Sequence, residues 1–426
     1  MKNVLEILEE RRFIEAVTSI EAKEKLNQPC RVYCGFDPTS DSLHLGNFVA
    51  IMGLAWFQRC GHSPYVILGG ATAMVGDPSG KNKERPLLNE QAIKTNVEGI
   101  RKNLEHVLNQ GAIPPILLNN YDWFKKFSFI DFLRDVGKLF RMGPMLSKES
   151  VKSRLESEEG LSFTEFTYQL LQGYDFLHLH REHKVTFQVG GSDQWGNITS
   201  GTELVRRVGG QSVFGVTFPL LVRSDGQKFG KSESGAIWLS PEKTSPFEFY
   251  QYLVRVPDAD VIRLMELLTF MDIGEIRRIE AAMKQKDYMP NTAQKRLAEE
   301  VTKIVHGETA LQAALKATEA LQPGGTATLD KETLFNIASD IPTHQLSKNE
   351  VIGLKVIDLL CTVKMVDSKS EARRLVRGGG VRMNNHKVEE ENQEIQPSDL
   401  IEGEFLLLAL GKKNQLLVQV NYTERD

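Results

Sequence analysis

The sequence predicts an α/β protein that begins with a parallel sheet, continues through helices and ends in a compact C-terminal module. Three observations support this prediction. Apolar β-rich runs alternate with helical patterns in the first half, the pattern becomes helical after Ser245, and QPGGTATLD (322–330) has the composition of a linker. The length of 426 residues exceeds one typical domain, so two or three domains are expected.

The first half contains candidate buried strands separated by a helix. The strands are RVYCGF (31–36), YVILGG (65–70) and VTFQVGG (185–191). A helix is predicted from Gly46 to Cys60, and Gly61 ends it. Strand, helix and strand at this spacing indicate a parallel sheet, in which ligands bind beyond the carboxyl ends of the strands. The polar stretches GFDPTSDSLHLGN, GGATAMVGDPSGK and GGSDQWGN lie at these ends.

Helical patterns dominate two further regions. A helical insertion is predicted at about residues 120–180, where helical spacing joins Phe129, Phe132, Leu133, Val136 and Phe140. The stretch SPFE, from Ser245, has the form of a capping box with proline at the first helical position. A later helix, NTAQKRLAEEVTKIVHG, is predicted to end at Gly307.

The composition is that of a soluble globular protein, with 41% hydrophobic and 25% charged residues. The net charge of −4 gives no global reason for a polyanion partner, so any nucleic-acid surface is expected to be local. Cys30, Cys34, Cys60 and Cys361 lack zinc spacing and are expected to be reduced thiols. The charged N-terminus and the absence of a long apolar run predict a cytoplasmic protein without a membrane segment.

His44 and Asn47 lie three residues apart at the start of the first predicted helix. They share a helix face, and Gly46 between them removes a side chain that would block close approach. A helix N-terminus offers unpaired amide groups and a partial positive charge, which suit a phosphate. These residues alone also fit a polar cap on a buried helix.

The stretch DGQKFGKSES (225–234) is not a phosphate-binding P-loop. The glycine spacing is one residue short, and GAIWLS after it has an extended pattern instead of a helical one. Two interpretations remain: a solvated loop, or a mobile glycine-containing loop whose Lys228 and Lys231 act as point charges on a triphosphate.

A polar stripe runs along the helix predicted from FTEFTYQLLQGYDFLHLH (163–180). Tyr168, Gln172 and Asp175 follow one another at i, i+4 and i+7, and the other faces are largely apolar. Polar groups on a buried helix need partners. They could satisfy one another, or they could bind a small polar ligand.

In combination, these stretches resemble the bacterial-type tyrosyl-tRNA synthetases, a family of class I aminoacyl-tRNA synthetases, over essentially the whole chain. The stretches YCGFDPT, HLGN, GGATAMVGDPSGK, YQLLQGYDF, GGSDQWGN and KFGKS occur in that order. The resemblance implies a Rossmann-like catalytic domain and an enzyme that joins L-tyrosine to ATP and then to tRNA(Tyr). Tyrosine's own carboxylate would attack the α-phosphate, with Mg²⁺ assisting, so no protein nucleophile or base is required.

The resemblance also implies residue roles. The tyrosine-binding residues would be Tyr33 and Asp175 at the phenol, Asp77, Tyr168 and Gln172 at the ammonium, and Asp37 and Gln194 at the reacting end. The residues acting on phosphates would be Thr39, His44, Asn47, Lys81, Arg85, Lys228 and Lys231. ATP would be bound by Gly35, His44, Gly46, Asn47, Gly191, Asp193, Lys228, Lys231 and Ser232. Asn47 departs from the usual histidine, and the neutral amide is expected to cost about 1 kcal/mol of transition-state binding at most.

Residues 364–387 form a basic segment in an acidic chain. They contain seven Lys or Arg residues and two acidic residues, a local net charge of +5. The segment resembles the S-four type of RNA-binding domain, so the module is expected to bind tRNA unless it is simply a solvated helix face. The tRNA-binding residues would be Lys369, Arg373, Arg374, Arg377 and Arg382.

The resemblance gives a domain order and two alternatives. The expected domains are 1–222 (catalytic, with its insertion), 223–320 (KFGKS loop and α-helical anticodon-recognition region), 321–345 (linker) and 346–426 (a small α+β RNA-binding module). A homodimer joined through the insertion is also expected. The alternatives are a tryptophanyl-tRNA synthetase, against which Tyr33 and Asp175 argue, and a non-catalytic RNA-binding protein on a synthetase-like scaffold.

Overall fold

The structure is a computed structural model that describes residues 2–79, 88–232, 235–322, 329–338, 341–411 and 414–421. The chain forms two compact units. The first contains residues 1–243 and 253–305, and the second contains residues 244–252 and 306–426. None of the helices in the described ranges combines the length and the apolar composition that crossing a bilayer requires.

A six-stranded sheet forms the centre of the first unit. Its strands are β1 (Ala16–Val17), β2 (Arg31–Phe36), β3 (Ser63–Leu68), β4 (Ile116–Asn119), β5 (Phe187–Gly191) and β6 (Phe214–Phe218). The order across the sheet is β1-β6-β5-β2-β3-β4, and every neighbouring pair is parallel except β1 with β6. The predicted parallel sheet is therefore confirmed, and the three predicted strands are β2, β3 and β5.

The sheet has a topological switch point at β2. From β2 the chain continues outward to β3 and β4 on one side, while β5 and β6 occupy the other side. Crossovers that run in opposite directions leave a crevice at the carboxyl ends of the two central strands. This arrangement is a Rossmann-like α/β fold, and it predicts a ligand site beyond Phe36 and Gly191.

The helices of the first part of the chain surround this sheet. They are α1 (Val4–Glu10), α2 (Glu21–Lys25), α3 (Leu45–Arg59), α4 (Glu90–Leu108), α5 (Tyr121–Phe124), α6 (Phe129–Asp135), α7 (Met142–Leu146), α8 (Glu149–Leu155), α9 (Phe163–His183) and α10 (Trp195–Gly209). Helix α3 packs against β2, β3 and β5, and its buried residues lie on all sides, as expected for a helix between a sheet and other helices. Helix α10 packs along α9 and against β5 and β6.

The insertion between β4 and β5 consists of α5 to α9, which confirms a helical region there. The helical spacing from Phe129 to Phe140 does not form one helix. Helix α6 ends at Asp135, and Gly137–Leu139 form a 3₁₀ turn, because glycine is a poor helix former. A buried ion pair joins α8 to α9: both terminal amino groups of Arg154 donate to the Glu165 carboxylate, at 2.8 and 2.7 Å.

A short hairpin and more helices follow the sheet. The hairpin is β7 (Lys231–Ser232) with β8 (Gly235–Ala236), and the helices are α11 (Pro246–Val254), α12 (Asp258–Leu268), α13 (Ile273–Ala282) and α14 (Thr292–Ala320). The helix predicted to end at Gly307 continues to Ala320, but Gly307 itself is non-helical, with φ 85° and ψ 170°. Glycine tolerates this positive φ, so it interrupts α14.

The second unit contains a five-stranded sheet with helices. Its elements are α15 (Lys331–Ile337), β9 (Thr343–Ser347), α16 (Val356–Thr362), α17 (Lys369–Arg377), β10 (Val381–Met383), β11 (His386–Lys387), β12 (Phe405–Leu410) and β13 (Asn414–Asn421). The strand order is β11-β10-β12-β13-β9, and only β13 with β9 is parallel. Helices α16 and α17 cover a core that includes Leu360, Val376, Leu406 and Val418. The predicted linker, 321–345, contains helix α15 and the first three residues of β9, so it is not free of regular structure.

Candidate active site

A cavity of about 530 Å³ opens at the carboxyl ends of β2 and β5. Its lining contains these residues from the predicted set: Tyr33, Gly35, Asp37, Thr39, His44, Gly46, Asn47, Asp77, Tyr168, Gln172, Asp175, Gly191, Asp193, Gln194, Lys228 and Lys231. Lys81, Arg85 and the side chain of Ser232 lie outside the described residues. The structure therefore brings together every predicted tyrosine-binding residue and all but these three of the nucleotide-binding residues.

Tyr33 and Asp175 lie at the buried end of the cavity. Tyr33 comes from the middle of β2, Asp175 comes from α9, and their side chains are almost fully buried. The Tyr33 hydroxyl has no hydrogen-bond partner among the described residues, although it is inaccessible to solvent. A buried hydroxyl without a partner is costly, so this atom is suited to a ligand with its own polar group.

The Asp175 carboxylate is held by two donors that the sequence analysis missed. Trp123 Nε1 donates to one carboxylate oxygen at 2.8 Å, and Asn120 Nδ2 donates to the other at 3.1 Å. Burial raises the pKa of Asp175 to about 8, while the bonds from Asn120 and Trp123 oppose that rise. Burial, and secondarily the Asp175 charge, raise the pKa of the Tyr33 phenol. The available sequence signal was the stretch NNYDWF (119–124), which begins at the last residue of β4 and so lies at a strand's carboxyl end.

Two further carboxylates line the wall between this end and the mouth. Asp37 accepts hydrogen bonds from the Tyr168 hydroxyl at 2.8 Å and from the Thr72 hydroxyl at 2.7 Å. Asp77 accepts from Gln194 Nε2 at 2.8 Å. These bonds fix the two carboxylates in place, and the pair makes this part of the cavity attractive to a cationic group.

Gln188 is another cavity residue that the sequence analysis missed. It is the register partner of Tyr33 on the neighbouring strand β5, so the two side chains leave the same face of the sheet. Gln188 is buried, and its amide oxygen has no hydrogen-bond partner among the described residues. No sequence pattern marks it, because one glutamine inside an apolar strand becomes informative only when its neighbours are known.

His44 and Asn47 form a reciprocal cap at the N-terminus of α3. His44 Nδ1 accepts from the Gly46 amide at 3.1 Å, and Asn47 Oδ1 accepts from the His44 amide at 3.1 Å. A neutral imidazole that accepts at Nδ1 carries its proton at Nε2, so His44 has a donor on its other edge. A Cβ at position 46 would lie 2.9 Å from the His44 ring, which explains the glycine. Asn47 keeps both amide hydrogens as donors.

The KFGKS stretch contacts this helix start through backbone atoms. Gly230 has φ +83°, and a Cβ there would lie 3.2 Å from the Gly46 nitrogen. The Gly230 carbonyl accepts from the Ile237 amide at 2.9 Å, and the Ile237 carbonyl accepts from the Leu45 amide at 2.8 Å. The hairpin β7–β8 follows, which agrees with the rejection of a P-loop. Lys228 and Lys231 therefore lie at the cavity beside the α3 N-terminus.

The predicted RNA-binding residues of the second unit lie on one helix and a neighbouring strand. Lys369, Arg373, Arg374 and Arg377 are exposed on α17. Arg382 lies on β10, is half-buried, and donates to the Asn385 carbonyl at 3.0 Å. The helix thus presents a basic surface, which is the expected electrostatic footprint for phosphates.

Comparisons with known proteins identify the family of the chain. Residues 24–322 match the family model "tRNA synthetases class I (W and Y)", and residues 333–418 match "Tyrosine--tRNA ligase SYY-like C-terminal domain". The chain is 60% identical over 422 residues to a tyrosine–tRNA ligase of Protochlamydia amoebophila, with 99% of each chain covered. It is 50% identical to the chloroplastic/mitochondrial tyrosine–tRNA ligase of Arabidopsis thaliana, covering 98% of this chain and 84% of the relative.

Solved structures give the same result. A C-terminally truncated mitochondrial tyrosyl-tRNA synthetase of Aspergillus nidulans superposes with a TM-score of 0.65 at 33% identity, covering 74% of this chain and 92% of that one. A cavity that joins a buried phenol and carboxylate to a helix N-terminus and two lysines, on this fold, defines a class I aminoacyl-tRNA synthetase. Within that class, the chain belongs to the tyrosine–tRNA ligase family.

Proposed function

We propose that this protein activates L-tyrosine with ATP to form tyrosyl-adenylate and pyrophosphate, and then transfers the tyrosyl group to the 3′ end of tRNA(Tyr). The observation that supports this most strongly is the position of Tyr33 and Asp175 at the buried end of a cavity that His44, Lys228 and Lys231 also line. Tyrosine has a polar group at the far end of its ring, and such a group would satisfy the Tyr33 hydroxyl.

The first step forms a bond between a tyrosine carboxylate oxygen and the α-phosphorus. The bond from that phosphorus to the bridging oxygen breaks, and pyrophosphate leaves with the electron pair. No proton moves, because the attacking carboxylate is ionised at neutral pH. Catalysis is then positioning and stabilisation of charge on the phosphates, by His44, Asn47, Lys228 and Lys231. Thr39, Lys81 and Arg85 are proposed to contribute in the same way.

The second step joins a terminal ribose hydroxyl of tRNA to the tyrosyl carbonyl carbon. The bond between the carbonyl carbon and the phosphate oxygen breaks, AMP leaves with its electron pair, and the proton of the hydroxyl passes to the leaving phosphate or to water. The ribose of ATP is proposed to bind at Asp193 and the backbone near Gly191, both of which line the cavity. Gly35 and Gly46 would leave room for the nucleotide, and Ser232 would contact it from the KFGKS stretch.

Selectivity for tyrosine is proposed to come from the buried end of the cavity. Phenylalanine would leave both the Tyr33 hydroxyl and the Asp175 carboxyl without the ligand's hydroxyl. Solvent cannot reach these two groups. The binding free energy lost with phenylalanine is therefore larger than that of an exposed hydrogen bond. Tyr168 and Gln172 on α9, together with Asp77, are proposed to hold the substrate ammonium.

Mg²⁺ is proposed to enter with ATP. In the described part of the chain there is no group of three or more His, Cys, Asp or Glu residues arranged to hold a metal ion. Magnesium commonly binds through substrate phosphates, one or two carboxylates and water, so an ion carried by the nucleotide does not require a larger cluster of protein ligands. When bound, the ion would neutralise phosphate charge and help pyrophosphate to leave.

Amino-acid-dependent exchange of labelled pyrophosphate into ATP tests the proposal. We expect exchange with tyrosine and much weaker exchange with tryptophan and phenylalanine. Exchange that tryptophan drives best would instead support a tryptophanyl-tRNA synthetase. The absence of exchange with any of the three amino acids would support a non-catalytic RNA-binding protein on a synthetase scaffold.

We also propose that the protein is a cytoplasmic homodimer joined through the helical insertion. Large apolar side chains of this insertion are exposed, with Phe129 and Ile130 66% exposed and Phe163 68% exposed. Exposed apolar side chains of this size and number commonly mark protein–protein contacts. Light scattering coupled to size-exclusion chromatography would measure the mass, and a mass of one chain at micromolar concentration would contradict the proposal.

A further inference from the structure

A carboxylate from outside α17 bridges two of its arginines. Arg373 and Arg377 lie four residues apart, so their side chains leave the same face of the helix. Glu391, in the segment after β11, accepts a hydrogen bond from Nε of Arg377. Its other carboxylate oxygen lies 3.9 Å from Nε of Arg373. One acidic side chain is therefore hydrogen-bonded to one guanidinium group and within ion-pair distance of the other.

The bridge uses only one edge of each guanidinium group. The carboxylate faces both Nε atoms, and neither arginine makes a hydrogen bond through its terminal amino groups to any described residue. The side chains of Arg373 and Arg377 are 50% and 72% exposed, whereas that of Glu391 is 27% exposed. The terminal amino groups thus remain free to bind an anion from solvent.

We propose that Glu391 is a positioning residue for RNA recognition: it holds Arg373 and Arg377 so that both guanidinium groups meet successive phosphates of an RNA backbone. This inference rests on the proposed binding of tRNA by the second unit. Arginine binds phosphate best through two parallel N–H bonds, which require a fixed orientation of the planar group. Two arginines that are ordered before binding lose less side-chain entropy when RNA arrives.

Glu391 also repels the same phosphates, which opposes the gain in affinity from positioning. The magnitudes of the two effects decide which is larger. Ordering one long side chain at an interface changes affinity by roughly twofold to tenfold. Repulsion between the Glu391 carboxylate and a phosphate on the other edge of the same guanidinium group, roughly 6 Å apart, changes affinity by about twofold for each phosphate in water at physiological salt. Positioning of two arginines therefore outweighs repulsion by one carboxylate, and removal of Glu391 is expected to weaken RNA binding.

The test is steady-state charging of tRNA(Tyr) by the full chain. Glu391→Ala is expected to raise KM for tRNA about fivefold with little change in kcat. Glu391→Gln keeps the side-chain volume and one hydrogen-bond acceptor, so it should raise KM for tRNA less than Glu391→Ala does. If the alanine variant folds poorly, the KM of the glutamine variant tests the positioning role instead. The matched control is Glu389→Ala, which removes an exposed carboxylate of the same loop and should leave KM unchanged.

A double-mutant comparison shows whether Glu391 acts through the arginines. In the background Arg373→Ala with Arg377→Ala, adding Glu391→Ala is expected to cause no further rise in KM. Independent effects on KM would contradict the positioning role. A lower KM for Glu391→Ala would overturn the inference, because it would mean that the carboxylate competes with phosphate.

The remaining outcomes separate this inference from the proposed function. Arg374 is 79% exposed, and its nearest carboxylate partner, Glu371, is 4.0 Å away. If Arg374→Ala and Arg377→Ala raise KM for tRNA but Glu391→Ala does not, only the role of Glu391 is wrong. If none of these variants changes KM, tRNA binding by α17 is wrong, and the role of Glu391 is wrong with it.

Discussion

Replacing Tyr33 by phenylalanine should weaken activity without weakening the fold. The substitution removes one hydroxyl group and leaves the ring, whose contact with Phe176, at a centroid distance of 5.2 Å, is kept. In the unliganded protein this hydroxyl is buried and has no partner among the described residues. Its removal therefore breaks no hydrogen bond within the described structure, which distinguishes it from most tyrosine hydroxyls in protein cores.

The substitution is expected to have opposite effects on the free energy of unfolding and on activity. A buried polar group without a partner costs about 1–3 kcal/mol, so its removal should raise the free energy of unfolding, by up to ~1 kcal/mol after allowing for the small void. With tyrosine bound, the same hydroxyl is proposed to form a neutral hydrogen bond worth about 1 kcal/mol. That value corresponds to a fall of about fivefold in kcat/KM for tyrosine, with little change for phenylalanine.

The assays are denaturant unfolding without ligands and pyrophosphate exchange with each amino acid. Tyr65→Phe is the matched control, because Tyr65 is buried, is the register partner of Tyr33 on β3, and does not line the cavity. The control should leave the preference for tyrosine over phenylalanine unchanged. A loss of more than about 1 kcal/mol of stability for Tyr33→Phe, or an unchanged amino-acid preference, would refute the reasoning.

Four further predictions concern the site and the insertion. The Asp175 carboxyl has a pKa of about 8 in the folded state against an ordinary 3.8, so the folded protein binds the extra proton and its unfolding free energy falls as pH rises between these values. Asp175→Asn should flatten that slope in unfolding curves measured from pH 5 to 8. Trp123→Phe removes a bond that lowers the Asp175 pKa, so this pKa should rise further, as two-dimensional NMR of the labelled carboxyl would detect. Asn47→His should leave the rate of adenylate formation unchanged or raise it by up to about fivefold in single-turnover assays, and a large loss would show a different role. Phe163→Asp places a charge on an exposed apolar side chain and should lower the mass measured by light scattering, whereas an unchanged mass would exclude this residue from the dimer contact.

Local patterns in the sequence were sufficient for much of the fold. The central strands and α3 were predictable because each is a continuous apolar segment with a clear end, such as Gly61 after α3. The break after α6 was not predictable from apolar spacing, because Phe129 and Leu133 maintain the pattern although they are exposed. Whether these side chains are buried depends on what packs against the insertion. The spacing of apolar residues carries no information about that packing.

The parts of the site that the sequence missed are those that depend on distant contacts. Asn120 and Trp123 reach Asp175 across more than 50 residues of chain, and nothing in NNYDWF specifies that partner. Gln188 becomes notable only through its register with Tyr33. The stripe of Tyr168, Gln172 and Asp175 was predictable because one helix sets its geometry. Sequence order within an element is thus informative, whereas contacts between elements require the fold.

The distribution of charge in the cavity determines where the proposed reaction takes place. Asp37 and Asp77 lie on the wall of the cavity, while Lys228 and Lys231 lie beside the N-terminus of α3. We expect the ammonium of tyrosine to be attracted to the carboxylates, and the triphosphate of ATP to be attracted to the lysines and the helix N-terminus. Because the substrate carboxylate is attached to the carbon that bears the ammonium, it must lie at the boundary between these two regions. We therefore expect the nucleophile and the α-phosphate to meet there without a catalytic base, oriented by the arrangement of fixed charges.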